Sequence, residues 1–226
     1  MAYVSIAALL KHEIESWAEE FARNSALKRL AISGRLQARS MTLYLESLRF
    51  VFEQSQVSLA LAAQRCQELG DTELERYFRA KVQEETGHQL WALDDLRRFG
   101  EHNQRPAPSS VALVELQRRA IARHPFCMTA YAVWAEYFTV LLGDEWLDAL
   151  AVSGYRRDGV TAITKHIEAD RAHSAATFAE LDRLWRGQPE PEVLLSIVEE
   201  AGRIFEDFSA EVCAESAPPM SALEAS

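Results

Sequence analysis

The chain has 226 residues, 48% of them hydrophobic and 26% charged, with a formal net charge of −10. Such a composition suffices for a sizeable core and excludes a chain disordered throughout. The acidic balance, with no cluster of Lys and Arg, argues against a nucleic-acid role, which needs phosphates neutralised.

Residues 1–10 are mildly apolar but meet Lys11, His12 and Glu13 at once, so no secretory signal is expected there. No apolar run approaches the roughly 18 residues of a membrane helix. The three cysteines, Cys66, Cys127 and Cys213, are widely spaced and form no Cys-x-x-Cys, which excludes zinc-finger and iron–sulfur ligation. A reducing cytoplasm is the expected compartment.

Helical periodicity then runs through the chain. Ile6, Leu9, Leu10, Ile14, Trp17 and Phe21 form one stripe, predicting a helix over 6–21. Ser33-Gly34 breaks the pattern, and a long helix is expected over 36–69, ended by Gly70. Asp71 suits the N-cap of the next helix, which runs to Phe99 and stops at Gly100. Asn103, Pro106, Pro108, Ser109 and Ser110 mark residues 101–110 as a loop. Helices follow over 111–123 and, opened by Pro125, to about residue 142. Gly143-Asp144 and Gly154 punctuate a shorter helix, and Asp158-Gly159 precedes another that ends at Gly187. Pro189 and Pro191 lead into a last helix to Cys213, and residues 216–226 form a frayed tail. No alternating run is long enough for a strand. The expectation is an all-α bundle of about seven or eight helices in one domain, residues 1–215.

The chemistry sits on that scaffold. His166, Asp170 and His173 are spaced by four and three, which puts them on one helical face. Glu85 and His88, three apart, share a face upstream. Imidazoles and carboxylates on facing helices are how a bundle holds two metal ions. Glu136 is a lone carboxylate in an otherwise apolar stretch, 130–142. A buried lone charge is costly, and a metal is one of the few partners that offsets it. One more carboxylate is wanted before Glu85. Glu46 and Glu53, seven apart in apolar surroundings, both qualify, although each can pair with Arg49. Ordinary readings exist for the others too: solvated charges at Glu84 and Glu85 beside Lys81, surface imidazoles at His166 and His173, a hydrogen-bonded core carboxylate at Glu136. His12, His102 and His124 have no such partners. Tyr131, Trp134 and Tyr137 surround Glu136 as core packing, with one of them suited to line a cavity.

This pattern resembles the haem-oxygenase-like diiron oxidases and oxygenases, the iron-containing redox enzymes. Their order of Glu, Glu-x-x-His, lone Glu and His-x-x-x-Asp-x-x-His falls on Glu53, on Glu85 with His88, on Glu136, and on His166, Asp170 and His173, with Glu46 as rival to Glu53. The likeness spans about residues 36–186. It implies a haem-oxygenase-like bundle holding two iron ions, with dioxygen as co-substrate and an external electron donor. The implied reaction oxidises a small substrate, an amino acid or other carboxylate, by N-oxygenation, desaturation or oxidative C–C cleavage in a biosynthetic pathway. A homodimer is compatible with it. Lys165, Arg156 and Arg157 are candidate anion partners for the substrate. Three alternatives stand beside this reading: a metal-independent cofactor protein like thiaminase II or the pyrroloquinoline-quinone synthase, a ferritin-like diiron protein, and a helical interaction protein without chemistry.

Overall fold

The computed structural model describes residues 5–100 and 105–216. Among them are nine helices and no strand: α1 (Ile6–Asn24), α2 (Ala26–Ile32), α3 (Ala38–Leu69), α4 (Thr72–Glu85), α5 (His88–Phe99), α6 (Pro108–Arg123), α7 (Cys127–Val152), α8 (Thr161–Leu184) and α9 (Pro191–Ala214). His102, part of the expected loop and residues 217–226 of the tail lie outside the described residues. No helix is long and apolar enough to cross a membrane among the residues described.

Local signals explain most boundaries. The Ser5 hydroxyl caps α1 by accepting from Ala8 N, and the Asp71 carboxylate caps α4 by accepting from Leu74 N at 3.1 Å. Gly70 ends α3 in the left-handed conformation, with φ +75°. Pro108 and Pro191 open α6 and α9, where a missing N–H leaves no gap in the ladder.

Pro108, Ser109 and Ser110, expected in the loop, form the first turn of α6, and two further expectations fail. The segment 72–99 is two helices, because Gly87 takes φ +97° between Glu85 and His88. Gly143 punctuates nothing: α7 runs through it to Val152. A Cβ there would lie 2.6 Å from Ile167 Cγ1, so the glycine exists to let α7 and α8 approach closely.

Two apolar cores divide the bundle. One gathers Leu59 to Cys66 of α3, Leu74 and Phe78 of α4, and Leu181 and Leu184 of α8. The other gathers Met41 to Leu45 of α3, Ala92 and Leu96 of α5, and Ala162 to Ile167 of α8. On α3, on α4 with α5, and on α8, the stretch between the two cores carries the candidate chemistry.

Asp95 of α5 sets the position of α8. It is fully buried, and its carboxylate accepts from Thr161 Oγ1 and Ala162 N, each at 2.7 Å. The residue at the N-cap, Val160, offers no side-chain cap, so the acceptor comes from another helix. Asp95→Ala should leave the buried Ala162 N–H without an acceptor and the half-buried Thr161 hydroxyl without its partner, at a cost of about 1–3 kcal/mol. Thermal unfolding measures it; a loss below about 0.5 kcal/mol would show the cap to be idle.

Candidate metal centre

The four helices α4, α5, α7 and α8 bring six of the expected side chains to one interior region. Glu85 is the last residue of α4 and His88 the first of α5. They meet although no continuous helix joins them, with His88 Nδ1 2.9 Å from Glu85 Oε2. On α8, His166 Nδ1 lies 2.7 Å from Asp170 Oδ2, and His173 Nδ1 lies 3.8 Å from Asp170 Oδ1. His173 Nδ1 also stands 3.9 Å from Glu85 Oε1, closing the gap between α8 and α4. Glu136 of α7 is 5% exposed and points into the same region.

Two sets of donors lie within 4.8 Å of one another: Glu85, His88 and His166, and Glu85, Glu136 and His173. Glu85 belongs to both, as a bridging carboxylate would. Asp170 is fully buried, and neither of its oxygens has an aligned hydrogen-bond partner despite the nearness of His166. His173 Nδ1 is likewise buried and without a partner. Orphaned buried polar atoms of this kind need an explanation, and an ion between them supplies one. Mixed imidazole and carboxylate donors suit iron among the common metals. The residues therefore fit the group that the resemblance implies.

Electrostatics bind the cluster together. Burial pushes the Asp170 carboxyl up, but the His166 imidazole outweighs it and holds Asp170 below its ordinary value. Burial likewise opposes ionisation of Glu85, and the His88 contact and the charge of His166 overcome it. Burial disfavours the charged form of His166, yet Asp170 raises its imidazole above the usual range. At Glu136 burial wins and raises the carboxyl, against the pull of Lys81.

Lys81 was not foreseen as part of the site. It is 3% exposed, and its ammonium donates to Glu136 Oε1 and stands by Glu84 Oε2, both at 2.8 Å. Burial works against its charge, and Glu136 more than compensates, raising the amine. Thr177 Oγ1 donates to the other Glu136 oxygen at 2.9 Å. A signal for Lys81 existed: it precedes Glu85 by four, on the same helical face.

Neither Glu53 nor Glu46 joins the cluster. The side chain of Glu53 is 52% exposed and accepts from Arg49 Nη1 at 3.3 Å. Glu46 is buried, but its carboxylate accepts from Arg49 Nε at 2.9 Å. From α3, Phe52 reaches the centre, stacked on His166 with ring centroids 4.5 Å apart. His88 is stacked in turn on Trp91 at 4.2 Å. The proposed anion partners point elsewhere: Lys165 sits over Trp91, while Arg156 and Arg157 pair with Asp158 and Asp148. His12 is exposed, and His124 Nδ1 accepts from Phe126 N at a helix boundary.

Two cavities adjoin the centre. A small one of about 70 Å³ is lined by Lys81, Glu85, Glu136 and His166. A larger one of about 170 Å³ lies beside it and reaches His166 from among Phe21, Trp134, Phe138, Trp146 and Phe205. Phe52, Tyr131 and Ala135 line both. The charged or imidazole side chains on the larger wall are Lys28, Glu145 and His166, and Lys28 pairs with Glu145. Trp134, also on that wall, holds its indole N–H without an acceptor.

No protein-family model matches the chain, and no curated protein does. Solved structures do match. A domain of unknown function with a haem oxygenase-like fold from Shewanella denitrificans is 17% identical, with a TM-score of 0.82 over 92% of each chain. A TenA homologue from Pseudomonas syringae pv. tomato is 15% identical, with a TM-score of 0.68 over 94% of each chain. The chain therefore has a haem-oxygenase-like, all-α fold. At these identities the likeness is one of fold, and the site must argue the function.

Proposed function

We propose that the chain is a non-haem diiron oxidoreductase that uses dioxygen and an external electron donor to oxidise a small molecule. The cluster around Asp170 carries this reading: a fully buried carboxylate between His166 and His173, placed where donors from four helices converge. Glu85, His88 and His166 would hold one ion and Glu85, Glu136 and His173 the other, with Asp170, beside His166 and His173, supplying negative charge to the pair. Iron bound there supplies a site for the reduction of dioxygen.

The chain's own residues do the rest. Phe52 and Trp91 hold the His166 and His88 rings by stacking. Thr177 holds one oxygen of Glu136. The aromatic wall of the larger cavity seats the substrate beside His166 and keeps water away from the reacting atoms. That wall favours a substrate whose reacting part is a hydrocarbon chain or ring. A carboxylate on it would reach Lys28 by displacing Glu145, and a carbonyl or carboxylate oxygen would suit the Trp134 N–H. A free amino acid fits this wall less well, because no second charged pair lines it.

The TenA homologue has the same fold, so the architecture alone does not separate this reading from a metal-independent one. The carboxylate–imidazole cluster supports the metal reading. Anaerobic Fe(II) loading, iron analysis and oxygen uptake with a panel of apolar acids and amino acids form the test. The parent should retain iron and consume oxygen when the right substrate is added. His173→Ala should weaken iron binding by about tenfold or more with helicity unchanged. A parent that retains no iron sinks the proposal.

A further inference from the structure

We propose that Lys81 occupies the Glu136 side of the centre as an internal cation, so that the chain holds one divalent ion tightly and admits a second only by displacing the ammonium. The tight position is Glu85, His88 and His166; the contested one is Glu85, Glu136 and His173. The inference rests on the metal reading above.

Geometry separates the two positions. Both Glu136 oxygens are already engaged, one by Lys81 at 2.8 Å and one by Thr177 at 2.9 Å. Lys81 makes no hydrogen bond to Glu85, His88 or His166, although it lines the same small cavity. Lys81 is 3% exposed and lines the small cavity beside these donors, so its charge is not dispersed into water. A divalent ion and an ammonium cannot share Glu136 in that space without strong repulsion.

Charge counting points the same way. Among the buried groups, Glu85, Glu136 and Asp170 bring three negative charges and Lys81 one positive, leaving two; Glu84, at the rim, is left to solvent. One divalent ion with neutral imidazoles balances the centre, and a second overshoots. The ammonium has somewhere to go: Glu84 Oε2 is already 2.8 Å from Lys81 Nζ, on a side chain 36% exposed at the rim. Losing Glu136 to an incoming ion would leave Lys81 paired with Glu84. A merely structural Lys81–Glu136 pair would have no bearing on how many ions bind.

Titration of the metal-free full chain with Mn(II), followed by the signal of the unbound ion in electron paramagnetic resonance, needs no turnover. The parent should bind one ion, and a second at least about tenfold more weakly. Lys81→Met keeps the length and removes the charge; its second ion should tighten by about tenfold or more, with the first unchanged. Lys81→Arg keeps the charge and should keep the second ion weak. Thermal unfolding gives an independent reading: Lys81→Met should be less stable than the parent without metal and gain more from saturating Mn(II). Two ions of equal affinity in the parent, or a second site in Lys81→Met no tighter than the parent's, would overturn the assignment of Lys81 alone. No Mn(II) bound by any of the three proteins would overturn the metal centre itself.

Discussion

Asp170→Asn is expected to leave the metal-free protein about as stable as the parent while removing most of the stability that metal confers. The carboxylate is fully buried and neither oxygen has an aligned hydrogen-bond partner. Burial of that charge opposes folding and the His166 imidazole 2.7 Å away offsets it, so asparagine, which keeps the shape, removes two opposing contributions together. Asp170 raises the His166 imidazole above its ordinary value, so the variant weakens the charge on both partners together. The metal-free change should therefore stay within about 1 kcal/mol. Metal binding depends on the lost charge. At a metal concentration of about 100 times the parent's Kd, binding should stabilise the parent by roughly 2.7 kcal/mol. For a domain of this size that is a Tm rise of about 5–10 °C. A variant whose Kd has risen about a hundredfold would keep only a few tenths of a kcal/mol of it. Melting curves with and without Fe(II) under nitrogen decide the matter. A large loss of metal-free stability in Asp170→Asn would mean that the carboxylate serves the fold and not a metal.

Gly143→Ala should be costly for a helical glycine in which alanine is normally preferred. Its Cβ would lie 2.6 and 2.7 Å from Ile167 Cγ1 and Cδ1, so α7 and α8 must separate or Ile167 must leave its rotamer. Overpacking of this kind costs about 1–3 kcal/mol, which for this size lowers Tm by roughly 2–12 °C. Ile167 follows His166 directly, so the displacement reaches an imidazole of the centre. Gly202→Ala is the control. Its Cβ would meet the Trp17 ring at 2.8 Å between α9 and α1, where no candidate ligand lies. Both variants should lose stability, and only Gly143→Ala should also lose metal affinity. Equal metal affinity in the two would detach the α7–α8 contact from the centre.

Helical spacing made the α8 triplet legible, because residues three and four apart share a face wherever the helix sits. Glu136 was legible for another reason: it is the only charged residue within 130–142, a segment that periodicity marks as buried. Glu85 and His88 came together on a wrong premise. Their spacing suggested one helix, whereas Gly87 breaks the chain between them and turns both side chains inward. The α3 carboxylates show the limit of such reading. Glu46 and Glu53 look alike in sequence, yet Arg49 engages both, while Phe52 reaches the centre from α3. Lys81 was illegible because a lysine in a charged helix reads as solvent-facing, whereas in the fold its ammonium turns inward to Glu136. The cavities were illegible, being made of residues scattered from Phe21 to Phe208.

The buried carboxylate on α5 that receives the first residues of α8 sits seven positions after His88, two turns along the same rod. One short segment thus carries both a donor to the centre and the anchor for the helix that brings three more. Spacing within it acts as a gauge: adding or deleting a single residue between His88 and Asp95 would swing one relative to the other by about 100°. The proposed centre therefore requires this stretch to keep its length.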